Sequence, residues 1–157
     1  MENTYKDNCQ TFIVPECIVT DNEPKLKILK SCEVLIDFRT CLYPPPKCYD
    51  DIKSSCYIDI KIDKVCGCKV LLGGVLHKKI SYIYEDCCKN PHKETKEKTI
   101  PFSCYIDFDR LTLDDNFKIS GHEVVCQFSE VQKIKENCSI KTVFIEKDII
   151  KIAVQMN

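Results

Sequence analysis

The sequence predicts an all-β protein built as an antiparallel sandwich of two sheets, with little helix. Two observations lead to this prediction. Apolar and polar residues alternate with period two along most of the chain, as they do in strands that bury one face. Turn residues divide that alternation into about seven to nine strands of short or medium length. Strands of this kind pack most naturally as a jelly-roll or immunoglobulin-like sandwich.

The N-terminal part of the chain predicts a short tail followed by one domain. The chain has 157 residues, enough for one ordinary domain. We expect residues 1–11 to form a flexible N-terminal segment and residues 12–157 to form a single β-sandwich domain. The run from Phe12 to Thr20 is β-like but contains Pro15, which suits an edge or entry segment because proline cannot donate to a central ladder.

The next segments predict strands separated by a stiff loop. One or two strands are expected from Lys25 to Phe38, with Lys30 as the one polar residue on their apolar face. Three prolines lie between Cys41 and Cys48, so this segment is expected to be a loop whose flanking cysteines could pair locally. The run from Ser55 to Asp63 alternates cleanly and predicts a strand.

The longest β-like run extends from Cys66 to Tyr84. A straight strand of about 20 residues would span roughly 66 Å, which is too long for a domain of this size. We therefore expect the chain to turn or bend at Gly73-Gly74. The pair would act either as a two-residue hairpin turn or as a bulge that carries one strand from one sheet into the other.

The C-terminal half predicts strands joined by polar connections. The segment from Ser129 to Asn137 fits either a short helix with a capping box or a continued strand. The remaining expectations are an exposed loop over Glu85–Lys98, strands over Thr99–Phe108 and Ile119–Phe128, and a last hairpin of Ile140–Ile145 and Ile149–Val154 that turns at Glu146-Lys-Asp148.

Charge and hydropathy argue against two classes of partner. The chain carries 23 basic and 24 acidic residues, a formal net charge of -1, which gives no field to attract nucleic acid or an anionic membrane. No run approaches the roughly 18 apolar residues of a membrane span. The start, Met1 to Asp7, has no apolar core and no cleavage signature, so we expect synthesis in a reducing cytoplasm without a signal peptide.

Thirteen cysteines, about 8% of the chain, are the unusual feature of the composition. The number is odd, so at least one thiol cannot pair within the chain. Those in loops, turns or the ends of strands are candidates for intermolecular disulfides: Cys9, Cys17, Cys66, Cys68, Cys87, Cys88 and Cys138. The candidates for local or core disulfides, or for buried thiols, are Cys41 and Cys48 in the proline loop and Cys32, Cys56, Cys104 and Cys126 on apolar strand phases.

Three uses of so many thiols compete. Structural zinc sites favour Cys-x2–4-Cys pairs, but the spacings here are Cys66-x-Cys68 and Cys87-Cys88. A cysteine nucleophile needs a base, and no pattern ties a histidine to a particular cysteine. Covalent cross-linking after release from the cytoplasm accounts for the number, the odd count and the exposed placement together. We therefore expect no catalytic residue, no bound metal and no cofactor.

The central run also carries a family resemblance. The stretch from Cys68 to Tyr82, followed further on by Ile100-Pro-Phe-Ser-Cys-Tyr-Ile106, resembles the SPOCS domain of clostridial spore-coat and exosporium proteins. Pro24–Leu29 is similar to the lead-in of that family, and Ile140–Val154 is similar to its end, so that the resemblance covers residues 13–155. The chain departs from the family pattern in its double glycine and in its cysteine content.

The resemblance implies a β-rich module used in spore-envelope assembly and protein–protein attachment, without catalytic residues. The expected function is a self-assembling structural subunit of the spore surface, locked by intermolecular disulfides. Its partners would be further copies of itself and other spore-envelope proteins, with no nucleic acid and no membrane. Synthesis in the mother cell and oxidation after its lysis would reconcile a cytoplasmic origin with many disulfides. A monomeric coat-attachment module and a thiol-rich metal-binding coat component are the alternatives.

Overall fold

The computed structural model describes residues 10–14, 27–109 and 115–157. Within these ranges the chain is almost entirely extended, and one short 3-10 turn, Tyr49–Asp51, follows the proline segment. No helix in this part of the chain is long and apolar enough to cross a membrane. The seven strands are β1 (Gln10–Val14), β2 (Lys27–Cys41), β3 (Lys53–Cys66), β4 (Lys69–Glu85), β5 (Pro91–Asp107), β6 (Phe117–Glu136) and β7 (Ser139–Met156).

The strands form two antiparallel sheets, which confirms the predicted fold class. One sheet has the order β1-β2-β7-β6 and the other the order β3-β4-β5. Seven strands divided four and three are also found in constant-type immunoglobulin domains. Here, however, the three-stranded sheet is a meander of consecutive strands rather than an arrangement of strands from both halves of the chain. β1 begins at Gln10, inside the segment that was predicted to be flexible.

The two sheets face each other across a core with two apolar clusters. The larger one includes Cys32, Leu76, Phe102 and Ile150 and draws on both sheets. The smaller one is formed by Phe38, Leu42, Ile80, Tyr82 and Phe144. The core cysteines and aromatic residues therefore occupy the positions where period-two alternation turns side chains inward.

A charged boundary separates these two clusters. On β4, Lys78 lies between Leu76 of the larger cluster and Ile80 of the smaller one. On β7, Glu146 and Asp148 occupy the corresponding inward positions, and both are completely buried. The predicted last hairpin at Glu146-Lys-Asp148 is therefore wrong, because β7 runs through this segment as one strand. Alternate side chains of β7 still point inward through this segment, but they are charged instead of apolar.

The glycine pair forms neither a hairpin nor a bulge in its own strand. β4 is continuous, and Gly73 and Gly74 pair with Lys61 and Ile60 on β3 on one side and with Ser103 and Phe102 on β5 on the other. The irregularity lies in the neighbouring strand, where the register of β3 shifts between Ile62 and Lys64. The glycines instead provide space, since a Cβ on Gly73 would meet the Asp63 carboxylate and one on Gly74 would meet the Phe102 ring.

One other connection differs from prediction, and one open alternative is decided in favour of a strand. The expected exposed loop over Glu85–Lys98 is a short turn, because β5 begins at Pro91 and its first half pairs with β4. The segment Ser129–Asn137, left open between helix and strand, continues β6 as far as Glu136. Lys30, the polar exception on β2, is buried and its Nζ donates to the carbonyl oxygen of Asp107 at 2.7 Å.

Candidate functional site

One end of the sandwich, called here the Cys66 end, carries two exposed thiols in a tight turn. Cys66 closes β3 and Cys68 precedes β4, with Gly67 between them at φ +57, a conformation that favours glycine. The amide of Phe108 donates to the carbonyl oxygen of Cys68 at 2.7 Å and anchors this turn to the chain after β5. Both thiols therefore have a fixed backbone and lie in solvent.

The opposite end, called here the Cys88 end, carries five exposed thiols. The amide of Lys47 donates to the carbonyl oxygen of Ile83 at 2.8 Å, which brings the proline segment against the last part of β4. The amide of Leu42 donates to the carbonyl oxygen of Thr142 at 2.9 Å, which brings the start of β7 to the same end. The thiols at this end are Cys41, Cys48, Cys87, Cys88 and Cys138.

Cys87 and Cys88 lie in the β4–β5 turn, which Asp86 organises. The Asp86 carboxylate accepts hydrogen bonds from the amides of Cys88 and Asn90, both at 2.9 Å, and its Oδ2 lies 3.0 Å from Nε2 of His92. The His92 contact, followed by the amide of Asn90, lowers the pKa of Asp86 to about 2. The sulfur atoms of Cys87 and Cys88 are 3.9 Å apart, within contact distance but not bonded.

Cys138 lies in the β6–β7 turn. Asn137 and Cys138 have φ values of 46 and 64, the left-handed pair that a type I′ hairpin requires. The turn conformation thus places this thiol outside the sheet. Cys41 and Cys48 are also exposed, and their local pairing across the proline loop stays a prediction.

The inward cysteines of the sequence analysis divide into three environments. Cys32 on β2 and Cys104 on β5 are buried and face each other across the two sheets, with their sulfur atoms 3.2 Å apart. Cys56 is half-buried, and burial raises its pKa although the charge of Lys78 opposes the shift. Cys126 is exposed, contrary to the predicted apolar phase, because the register of β6 shifts between Val124 and Cys126.

Two thiols of the predicted intermolecular set, Cys9 and Cys17, lie outside the described residues. Across the part of the chain that the structure describes, no group of three or more cysteine, histidine or acidic side chains has an arrangement that could hold a metal ion. Two of the three histidines contact acids, since Nε2 of His77 lies 3.0 Å from Oδ2 of Asp59 and that of His92 lies equally close to Oδ2 of Asp86.

A second site, which sequence reasoning missed, is the buried polar cluster of Lys78, Glu146, Asp148, Gln127 and Ser54. Lys78 Nζ contacts Glu146 Oε1 and lies 2.7 Å from Asp148 Oδ2, and the three ionisable side chains have no exposed area. Gln127 Nε2 donates to Glu146 Oε1 at 2.5 Å and to Asp148 Oδ1 at 3.1 Å. Ser54 donates to Glu146 Oε1 at 3.2 Å.

The pKa values of Glu146 and Lys78 reflect both the burial of this cluster and the contacts within it. Burial raises the pKa of Glu146, and the contact with Lys78 offsets only part of the effect. Burial alone would lower the pKa of Lys78, but its contacts with Asp148 and Glu146 outweigh burial and raise it. The alternation of buried and exposed residues in the sequence could have revealed this cluster. Lys78, Glu146 and Asp148 all occupy positions of their strands that this alternation assigns to the core.

No protein-family model, curated protein or solved structure matches this chain.

Proposed function

We propose that this protein is a self-assembling structural subunit of the bacterial spore surface, in a coat, an exosporium lattice or an appendage fibre, and that intermolecular disulfides lock the assembly. The observation that carries the proposal is the separation of exposed thiols to the two ends of one long sandwich. Cys66 and Cys68 lie at one end, and five further thiols lie at the other.

The distance between the ends favours bonds between subunits. β4 alone runs from Lys69 to Glu85, and 17 extended residues span about 50 Å. A thiol at the Cys66 end therefore cannot reach the Cys88 end of its own chain. A contact between unlike ends of two subunits repeats from copy to copy and yields an open polymer, whereas a two-fold contact stops at a dimer.

Strand edges offer a non-covalent contact that would set the geometry before oxidation. β6 is an edge strand of 20 residues, and from Cys126 to Glu136 it pairs with β7 in unbroken register. Its side chains are largely exposed, including Phe128 at 53%. A long regular edge presents unpaired backbone groups to which a strand of another chain can bind.

Placement on the spore surface rests on the resemblance of the central run to SPOCS domains. The residues behind it occupy the centre of the fold, since Ile80 and Tyr82 are buried on β4 and Phe102 packs over Gly74. These residues support the scaffold, whereas the thiols at both ends are additions to it. The proposal assigns no catalytic residue, and its partners are further copies and other envelope proteins.

The test compares the wild type and two variants after oxidation, with products separated on denaturing gels with and without reductant and viewed by electron microscopy. Wild type is expected to give a ladder or gel-excluded polymer that returns to monomer with reductant. Replacing Cys66 and Cys68 by serine should abolish the ladder if unlike ends join, and should leave dimers if like ends join. Cys126→Ser is the matched control, because Cys126 is exposed but lies away from both ends.

The remaining outcomes decide against the proposal. A wild-type monomer in both lanes would contradict cross-linking and favour a monomeric coat-attachment module. Stoichiometric zinc or copper in protein purified under reducing conditions would favour the metal-binding coat component. A ladder that persists unchanged in the Cys66/Cys68 variant would remove that end from the contact and overturn the head-to-tail arrangement.

A further inference from the structure

The buried polar cluster places an amine and two carboxyl groups together in a dry core. Lys78 comes from β4 of one sheet, whereas Glu146 and Asp148 come from β7 of the other. The Phe38 ring lies on one side, with its centroid 5.7 Å from the Lys78 Nζ. If all three groups were ionised, the core would hold one uncompensated negative charge, which is costly away from water.

We propose that Lys78 and Asp148 condense to an intramolecular amide, an isopeptide bond that joins the two sheets, with Glu146 transferring protons. This inference does not depend on the proposed spore-surface function. It rests on the contacts among the three side chains, on their complete burial and on the hydrogen bonds that hold Glu146 in place.

The two carboxyl groups differ in ways that assign their roles. Glu146 Oε1 accepts hydrogen bonds from Lys78, Gln127 and Ser54, whereas Oε2 has no hydrogen-bond partner among the described residues and is free to carry a proton. Asp148 Oδ2 forms an ion pair with Lys78 Nζ at 2.7 Å, and the other oxygen, Oδ1, accepts a hydrogen bond from Gln127 Nε2 at 3.1 Å. The amine thus lies against the Asp148 carboxyl in a position from which it can reach the carbon.

The reaction balances without an oxidant or a cofactor. Lys78 first passes a proton to Asp148 Oδ2, giving a neutral amine beside a neutral carboxylic acid. The nitrogen then attacks Cγ of Asp148, and the C–O bond to the protonated oxygen breaks. Glu146 receives the proton of the attacking nitrogen at Oε1 and gives its own proton from Oε2 to the leaving hydroxyl. The products are one amide and one water, and Glu146 ends protonated as it began.

Burial supplies the driving force that this reaction lacks in water. A free amine and a free acid in water are favoured as separate hydrated ions. Inside the sandwich that hydration is absent, and the amide replaces a buried ion pair by a neutral group. The two strands already hold the reacting groups in contact, which removes the entropic cost of bringing them together.

The chain contains an internal comparison for this chemistry. Lys69 and Asp107 have the same two side-chain types at 2.5 Å, but their side chains are 50% and 56% exposed. This pair keeps its hydration, and no second carboxyl group among the described residues contacts Lys69 to transfer protons. We therefore expect amide formation at Lys78 and Asp148 and none at Lys69 and Asp107.

Mass spectrometry of the intact wild-type chain, denatured and fully reduced, tests the proposal directly. The expected mass is that of the unmodified chain less one water. Trypsin should then release residues 70–79 joined to residues 148–151, because a modified Lys78 is no longer cleaved. An unmodified mass would overturn the proposal, and so would a bond to residues 142–147, which would assign the amide to Glu146.

Variants separate the chemistry from folding. Glu146→Gln keeps a hydrogen-bonding side chain of the same size but cannot transfer protons, so a folded variant should retain the full mass. Lys78→Met should also retain it. Lys69→Met, the matched control, should lose one water as the wild type does. Loss of water in a folded Glu146→Gln protein, or its absence in Lys69→Met, would contradict the assigned roles.

Discussion

At the scale of single residues, Asp86 determines whether the turn with Cys87 and Cys88 keeps its shape. Its carboxylate binds two backbone amides and His92, and each contact favours the ionised form. Since the folded pKa is lowered from 3.8 to about 2, the stabilisation is complete above the unfolded value. It is lost as the pH falls through the folded value, because protonation removes the acceptor charge.

We therefore expect the turn to persist while most other carboxylates titrate. In reduced protein, the amide resonances of Cys88 and Asn90 should titrate with a midpoint at pH about 2 when the pH is lowered from about 6. Asp86→Asn keeps an acceptor oxygen but has no charge to lose, so its resonances should not move with this midpoint. A wild-type midpoint near the ordinary value of about 4 would contradict the role given to Asp86.

At the scale of single elements, β4 depends on two glycines for two different reasons. A methyl group on Gly74 would enter the ring of Phe102, which is buried at 5% exposure and has no room to move. A methyl group on Gly73 would meet the Asp63 carboxylate, whose side chain is 43% exposed and is free to rotate away. Neighbouring positions in one strand should therefore respond differently to the same substitution.

We expect Gly74→Ala to lower the free energy of unfolding by about 1–3 kcal/mol, the usual cost of overpacking a core. Gly73→Ala should change it by less than about 1 kcal/mol, because the loss of chain entropy in the unfolded state compensates a small displacement. Urea unfolding of the reduced proteins measures both, with each variant as control for the other. A larger effect at Gly73 would show that Asp63 is held rigidly.

Elements with one apolar face could be predicted, and those without one could not. β2 and the second half of β5 bury alternate residues, so period two located them. The first half of β5 carries Lys93, Glu94, Lys96 and Lys98 and has little buried surface, so its charges indicated a loop. β7 was divided at Glu146 and Asp148 because inward charges are rare and a charged stretch usually marks a turn.

Prediction of the candidate site was also limited to what the local alternation of apolar and polar residues reveals. Cys138 was assigned to a loop or turn, and it lies in the turn between β6 and β7. Cys66 and Cys68 were placed in the longest β-like run, whereas the chain turns at Gly67 between them. Cys126 was misassigned because a bulge shifts the phase of β6, and a bulge leaves little trace in a single sequence. The contact between Cys32 and Cys104 joins residues 72 positions apart on different sheets, and no local pattern encodes such a pairing.

At the scale of the whole molecule, stability depends on how firmly the two sheets are held together. Hydrogen bonds connect strands within each sheet, whereas the sheets meet through side chains of the core. Cys32 and Cys104 lie on opposite sides of that core with their sulfur atoms 3.2 Å apart. A disulfide between them would close a loop that runs from β2 through β3 and β4 to β5. The entropy removed from the unfolded chain increases with loop length.

We expect refolding with glutathione disulfide, which accepts the two electrons and two protons of the thiols, to form this bond and to stabilise the protein by about 4 kcal/mol. The melting temperature should rise by about 10 °C relative to the same protein in reductant. A background with serine at the exposed end cysteines keeps polymerisation from obscuring the transition. Cys104→Val fills the same space without a thiol, so its melting temperature should not respond to oxidant. An equal response in wild type and Cys104→Val would assign the stabilisation to other cysteines, and the two sheets would then be held by packing and by the buried polar cluster.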